Sequence, residues 1–144
     1  MKVTFLRHAR SIFNELNTSE KDCELSEFGK AQAADLSGNF DVVVCSFMTR
    51  TRQTLALSKI QYKELYSSEL CREFKTTICD YTKSEEEIPE TRESLAARAA
   101  EFCRHLKKEF DGRNVLVVSH GDFIFHLNGG TKYPENAEFQ VLEI

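Results

Sequence analysis

The sequence is short of the residues that mark non-globular chains. Its 144 residues include six glycines and two prolines, too few for a collagen-like or low-complexity disordered chain, and nothing in it reads as a repeat array. It also lacks an apolar run long enough for a membrane span or a signal-peptide core: Met1-Lys2 leads within a few residues to Arg7 and His8, so a cytoplasmic location is expected. The cysteines Cys23, Cys45, Cys71, Cys79 and Cys103 form an odd set without a Cys-x-x-Cys pair. That argues against a disulfide framework or zinc knuckle, and for reduced, partly buried thiols. An Asn17-Thr18-Ser19 sequon carries no weight in a chain that stays out of the secretory route. Positive charge is not in excess either. Nineteen Lys+Arg stand against 23 Asp+Glu, a net charge of -4, so no extended nucleic-acid or anionic-membrane footprint is expected and any anion site must be local.

What remains is ordinary globular composition, 41% hydrophobic and 10% aromatic. A chain of this length buries roughly 70% of its unfolded surface, enough for one core, and residues 1–144 read as one domain. Val3 to Leu6 reads as a short buried strand. Asp41 to Cys45 and Asn114 to Val118 are continuous β-branched runs of the kind a parallel sheet buries on both faces. Further strands are expected at Ile60 to Tyr66 and at the alternating Phe139, Val141 and Leu142. Helices are expected over Ser26 to Leu36, over Thr49 to Leu57, and along the stripe Leu95, Ala99, Phe102 and Leu106. Strand and helix alternate, which predicts an α/β/α sandwich with a mostly parallel sheet. From Cys71 to Glu93 the pattern is weak, with Glu85-Glu86-Glu87 and Pro89 marking solvent, and reads as an active-site flap or surface excursion.

Ligands of such a sheet bind beyond the carboxyl ends of its strands. There the sequence places Arg7-His8 after the first strand, Ser46 and Arg50 after the second, and Ser119-His120-Gly121 after the fourth. Two imidazoles and two guanidiniums at one rim suit a phosphoryl group. Guanidinium forks match phosphate oxygens, a neutral imidazole can attack phosphorus, and helix starts after Ser46 and Gly121 could add backbone N–H donors. Alternatives are weaker. Cys45 is out of register with Arg50 and Arg52 for a Cys-x5-Arg loop and reads as a core thiol. Gly129-Gly130-Thr131-Lys132 lacks the spacing of a nucleotide-binding loop and reads as a turn. His105 reads as exposed, His126 as partly buried, and neither has a metal-ligand partner at i+4. No metal or other cofactor is expected.

Four ordered elements resemble the histidine phosphatase superfamily, the phosphoglycerate mutase-like clan. Arg7-His8-Ala9-Arg10-Ser11-Ile12-Phe13-Asn14 stands in the place of R-H-G-x-S-x-x-N. Leu25-Ser26-Glu27-Phe28-Gly29-Lys30-Ala31-Gln32-Ala33 matches L-[ST]-x-x-G-x-x-Q-A without a gap. Ser46 to Thr54 is similar to S-P-x-x-R-x-x-Q-T, and Val117-Val118-Ser119-His120-Gly121 to the strand followed by S-H-G. The departures are Ala9 for Gly and Phe47 for Pro, neither of which removes a chemical group.

The resemblance implies a phosphoglycerate mutase-like fold and a phosphatase that hydrolyses a phosphomonoester through a phosphohistidine at His8, without a metal. It implies Arg7, Asn14, Arg50, His120 and Gly121 around the phosphate; Arg52 lies two places beyond the aligned arginine. The family's L-x-E element resembles Leu70-Cys71-Arg72-Glu73, with two residues in place of one between Leu and Glu and without the glycines that usually follow, which makes Glu73 the first choice of general acid, with Glu85, Glu86, Glu87 and Asp122 behind it. The substrate would be a small phosphorylated compound or a phosphoprotein. Other readings are a phosphohistidine protein phosphatase, a phosphoglycerate mutase, which the short chain disfavours, or a catalytically weak phospho-ligand binding protein.

Overall fold

The computed structural model describes residues 1–144. The elements follow in the order β1 (Lys2–Arg7), α1 (Ile12–Leu16), α2 (Glu27–Ala34), β2 (Ser37–Ser46), α3 (Thr49–Leu57), β3 (Lys59–Ser68), a 3₁₀ turn (Ile78–Asp80), α4 (Arg92–Phe110), β4 (Val115–Ser119), α5 (Gly121–Leu127) and β5 (Phe139–Glu143). The sheet order is β3-β2-β4-β1-β5. The first four of these strands are mutually parallel, and β5 closes the far edge antiparallel to β1.

Side-chain alternation along the central strands fills a layer on each face. Val42 and Val44 of β2, with Val115 and Val117 of β4, pack against Leu95, Ala99, Phe102, Leu106 and Phe110 of α4 and Phe123 and Ile124 of α5. Val43 and Cys45, with Leu116 and Val118, face the other way toward Leu55 of α3. The result is the expected three-layer α/β/α sandwich with a largely parallel sheet. β2 is longer than the apolar run suggested because Ser37 to Phe40 pair only with β3, whereas from Val42 onward β4 lies on the other side. The continuous β-branched run therefore marks only the part of the strand covered on every side.

Helix starts follow local chemistry. The Ser26 hydroxyl accepts from the Gly29 amide and Thr91 accepts from the Ser94 amide. α3 is capped from a distance, the Asp22 carboxylate taking the amide and hydroxyl of Thr49. The short α1 was not foreseen; Ser11 and Asn14 close it with a reciprocal capping box. No helix is long and apolar enough to cross a membrane.

Between β3 and α4 the chain forms a strap whose regular structure is the single 3₁₀ turn. It is tied down by charge. Glu85 pairs with Arg72 and Lys75, and Glu90 pairs with Arg98, whose guanidinium also donates to the carbonyls of Leu70 and Arg72. Glu85 is thus not one of a solvated run, unlike the exposed Glu86 and Glu87. His126, expected to be partly buried, is exposed because α5 turns it away from the core.

Candidate active site

The register of the sheet assembles the site. Arg7 of β1 pairs with Ser119 of β4, and Cys45 of β2 with Val118, so Ser46 at the end of β2 and His8 and His120 just past the ends of β1 and β4 come out side by side. The His8 and His120 ring centroids are 5.3 Å apart. β4 was inserted between β1 and β2 after the chain had passed to the other edge, so this rim is also where the sheet changes winding direction.

His8 is 3% exposed. Its Nδ1 lies 2.7 Å from the Ala9 carbonyl oxygen, which can only accept, so Nδ1 carries the proton and Nε2 holds the lone pair. Arg50 Nε donates to that Nε2 at 3.3 Å. Burial, then the charges of Arg50 and Arg7, hold the imidazole pKa well below its usual value. His8 is therefore neutral near pH 7. His120 is fully buried directly behind it. Its Nε2 is 2.8 Å from the Ser46 hydroxyl, and its Nδ1 has no partner. Burial lowers its pKa too, with the neighbouring cations adding to the effect.

A cavity of about 130 Å³ opens beside His8, bordered by Arg7, Asn14, Arg50, Glu73 and Asp122. Arg50 is 2% exposed and is oriented by Asp80 and the Cys79 carbonyl, whereas Arg52 is exposed on the outer face of α3. Arg7 donates to the Pro134 carbonyl and lies over the Tyr133 ring, its Nε unpartnered. Asn14 sits at the lip, its Oδ1 accepting from Ser11 and from Asn136.

Glu73 reaches the same cavity from the strap. Its Oε1 accepts from the amides of Phe74 and Phe123, and its Oε2 from that of Asp122. Three N–H donors favour the ionised form, yet burial outweighs them, helped by the Asp122 charge, and the pKa is pushed up to about 7. Two amides in the first turn of α5 are thereby committed to a carboxylate. Gly121 makes room for Tyr133, whose hydroxyl would lie 2.3 Å from a Cβ at that position.

The rest of the quoted motif residues hold the loop that follows β1. Thr54 Oγ1 accepts from the Ala9 amide, Gln32 Oε1 accepts from the Arg10 amide, and the Ser26 amide and hydroxyl both donate to the Arg10 carbonyl. Gly29 has no side chain because that carbonyl oxygen would stand 1.9 Å from its Cβ. Sequence reasoning quoted Gln32 and Thr54 without a task for either. Asp80 and Tyr133 it missed altogether, because nothing in their neighbourhoods distinguishes them.

No three or more His, Cys, Asp or Glu side chains are grouped so as to hold a metal ion. No curated protein matches the chain by sequence. Among solved structures it is similar to an Escherichia coli putative α-ribazole-5'-P phosphatase, at 21% identity and TM-score 0.74 over 98% of this chain and 89% of that one. It is similar also to an Entamoeba histolytica phosphoserine phosphatase in complex with 3-phosphoglyceric acid, at 22% identity and TM-score 0.72 over 97% and 89%. A mycobacterial glucosyl-3-phosphoglycerate phosphatase complexed with VO3 follows at 18% identity and TM-score 0.68, over 99% and 90%. These likenesses establish the phosphoglycerate mutase-like fold. The model of the histidine phosphatase superfamily, branch 1, matches residues 3–75 and 61–129. With that match spanning β1 to α5, and with the paired imidazoles and buried arginine where the motifs put them, the chain belongs to the histidine phosphatase superfamily, branch 1.

Proposed function

We propose that the protein hydrolyses a small phosphomonoester in two steps, with His8 as nucleophile. The observation that carries this reading is the state of His8: a buried, neutral ring whose Nδ1 proton is fixed on the Ala9 carbonyl, so that Nε2 holds the lone pair for phosphorus, free to attack once a phosphoryl group takes over the Arg50 Nε–H that now bonds to it. In the first step Nε2 attacks phosphorus, the P–O bond to the alcohol breaks, and the leaving oxygen takes a proton from Glu73. In the second, water gives its proton back to Glu73 and attacks phosphorus, the P–N bond breaks, and phosphate leaves.

Arg7 and Arg50 neutralise charge on the transferring oxygens. If Ser46 donates its hydroxyl proton to His120 Nε2, as their 2.8 Å separation permits, the unpartnered Nδ1 carries the proton and becomes a donor to the same group. Asn14 at the lip, and Gly121 through its backbone, complete the set. Glu73, with a pKa near 7, is suited to both halves of the reaction, which weighs against a binding protein that merely retains the pocket. The structural neighbours named above are phosphatases of small phosphate esters, which supports the same class of substrate.

The direct test is to incubate the protein with a radiolabelled phosphoryl donor and quench in denaturant. An acid-labile, base-stable label on His8, absent from His8→Ala, is expected. Turnover without such a label, or near wild-type turnover of His8→Ala, overturns the mechanism.

A further inference from the structure

The cavity at His8, about 130 Å³, has room for a phosphoryl group and little else. The alcohol part of a substrate has to lie outside it. A second cavity of about 560 Å³, within the range of small-molecule sites, adjoins it and shares Thr76, Asp122 and Tyr133 with it. Phe74, the residue after Glu73, is in its wall, so a leaving oxygen protonated by Glu73 departs toward this space. The other neighbouring cavity shares only Arg7 and Tyr133 with the His8 cavity and does not extend to the Glu73 segment.

The walls of the larger cavity are of two kinds. Phe125 and Tyr133 stand with ring centroids 5.4 Å apart, joined by Phe74, while Gly129 and Gly130, both in the left-handed region, bring backbone without side chains to the same space. Arg92, exposed at the start of α4, lies over the Phe74 ring at 5.5 Å and makes no ion pair; among the arginines without a carboxylate partner it is the one that lines this cavity. Asp122 lines both cavities and makes no ion pair with Arg92. An aromatic wall beside an unneutralised cation recognises a flat ring bearing an anion.

Building on the phosphatase reading, we propose that this cavity selects the alcohol, and that the preferred substrate class is a phosphomonoester of a primary alcohol carried on an aromatic ring with a carboxylate or similar anionic substituent. The ring lies against Phe125 and Tyr133, and the anion meets Arg92.

The test compares kcat/KM for ethyl phosphate, benzyl phosphate and para-carboxybenzyl phosphate. All three release a primary alcohol that needs a proton to depart, and so make the same demand on His8 and Glu73. We expect benzyl over ethyl by at least about tenfold from ring burial, and carboxybenzyl over benzyl by about tenfold from the charge-assisted contact. Phe125→Ala lowers the benzyl-to-ethyl ratio, as does Phe125→Leu, which keeps much of the volume but not the ring face. Arg92→Gln brings the carboxybenzyl-to-benzyl ratio to about one. Ratios near one in the wild type, or either ratio unmoved by its substitution, overturn the inference while leaving the phosphatase reading intact. If none of the three esters is hydrolysed and no phosphohistidine forms, the phosphatase reading falls and this inference with it.

Discussion

The two walls of the His8 cavity are made differently. One wall comes from the ends of β1, β2 and β4 and from the first turn of α3: His8, Ser46, Arg50 and His120 are all buried, and the backbones that carry them follow from strand register, although the Arg50 guanidinium is also held by Asp80 and the Cys79 carbonyl of the strap. The other wall is the strap from Glu69 to Thr91, which carries Glu73 and Asp80 and has almost no regular structure. Its place is fixed by ion pairs and by side chains bonded to backbone, notably Arg72 with Glu85 and Arg98 with Glu90. The sheet-borne wall is therefore insensitive to single surface charges, and the strap-borne wall depends on a few of them. In the proposed mechanism the nucleophile and charge stabilisers sit on the rigid side, and the proton donor sits on the side that can be reshaped without touching the sheet.

Substitutions can break this division or sharpen it. The largest effect is expected from His8→Ala, which should lower kcat by at least about 10⁴-fold for every substrate, as removal of a covalent nucleophile does. Steady-state assays on aryl and alkyl esters together check it. A selective loss would mean that the rigid wall does not carry the common step.

Glu73→Gln on the strap should discriminate where His8→Ala does not. Alkyl phosphates should slow by about 10²–10⁴-fold while p-nitrophenyl phosphate, with a good leaving group, is nearly spared. The pH profile sharpens the point. The acid form is present below the Glu73 pKa of about 7, so alkyl-ester turnover should fall as pH rises through that value, and this limb should vanish in the variant. Equal losses on both substrates would place the proton donor elsewhere.

Gly29→Ala probes the rigid side without altering any functional group. The new methyl meets the Arg10 carbonyl at 1.9 Å, and overpacking against backbone should cost about 1–3 kcal/mol. Thermal denaturation should show the loss, and kcat should drop with it because the loop after β1 carries His8. A stable variant with full activity would show that α2 does not position that loop.

The smallest effect is expected from Glu85→Gln. Hydrogen bonding to Arg72 holds the Glu85 carboxyl far below its usual range. A depressed folded pKa stabilises the protein above the unfolded value and loses that contribution as pH falls toward the folded one. The variant should therefore lose about 1–2 kcal/mol at pH 7, and the gap to wild type should narrow below about pH 4. Urea melts at the two pH values measure it. A gap that persists in acid would mean that the strap is held by packing alone.

Much of the rigid wall was legible before any coordinates. The β-branched runs mark strands covered on both faces, the stripe from Leu95 to Leu106 marks α4, and Arg7-His8, Arg50 and Ser119-His120-Gly121 announce themselves by following strands. Less of the strap was legible. Glu73 could be named from the L-x-E resemblance alone, and Glu85 read as solvated, because an ion pair between residues thirteen apart with no periodic pattern leaves no local trace. Of the helix-start amides expected as donors at Gly121, those of Asp122 and Phe123 are taken by Glu73, which leaves only that of Gly121 itself for a phosphoryl group.

Strand and helix periods and the chemistry available at the strand ends were written in the chain, because these depend on neighbouring residues and on patterns that repeat along it. The protonation of His8, the pKa of Glu73, the pairing of Arg50 with Asp80, the need for Gly29 beside the Arg10 carbonyl and the aromatic cavity next to that at His8 came with the folded structure. Each of those is set by burial and by partners brought together from distant segments, and neither burial nor long-range pairing is written in the local order of residues.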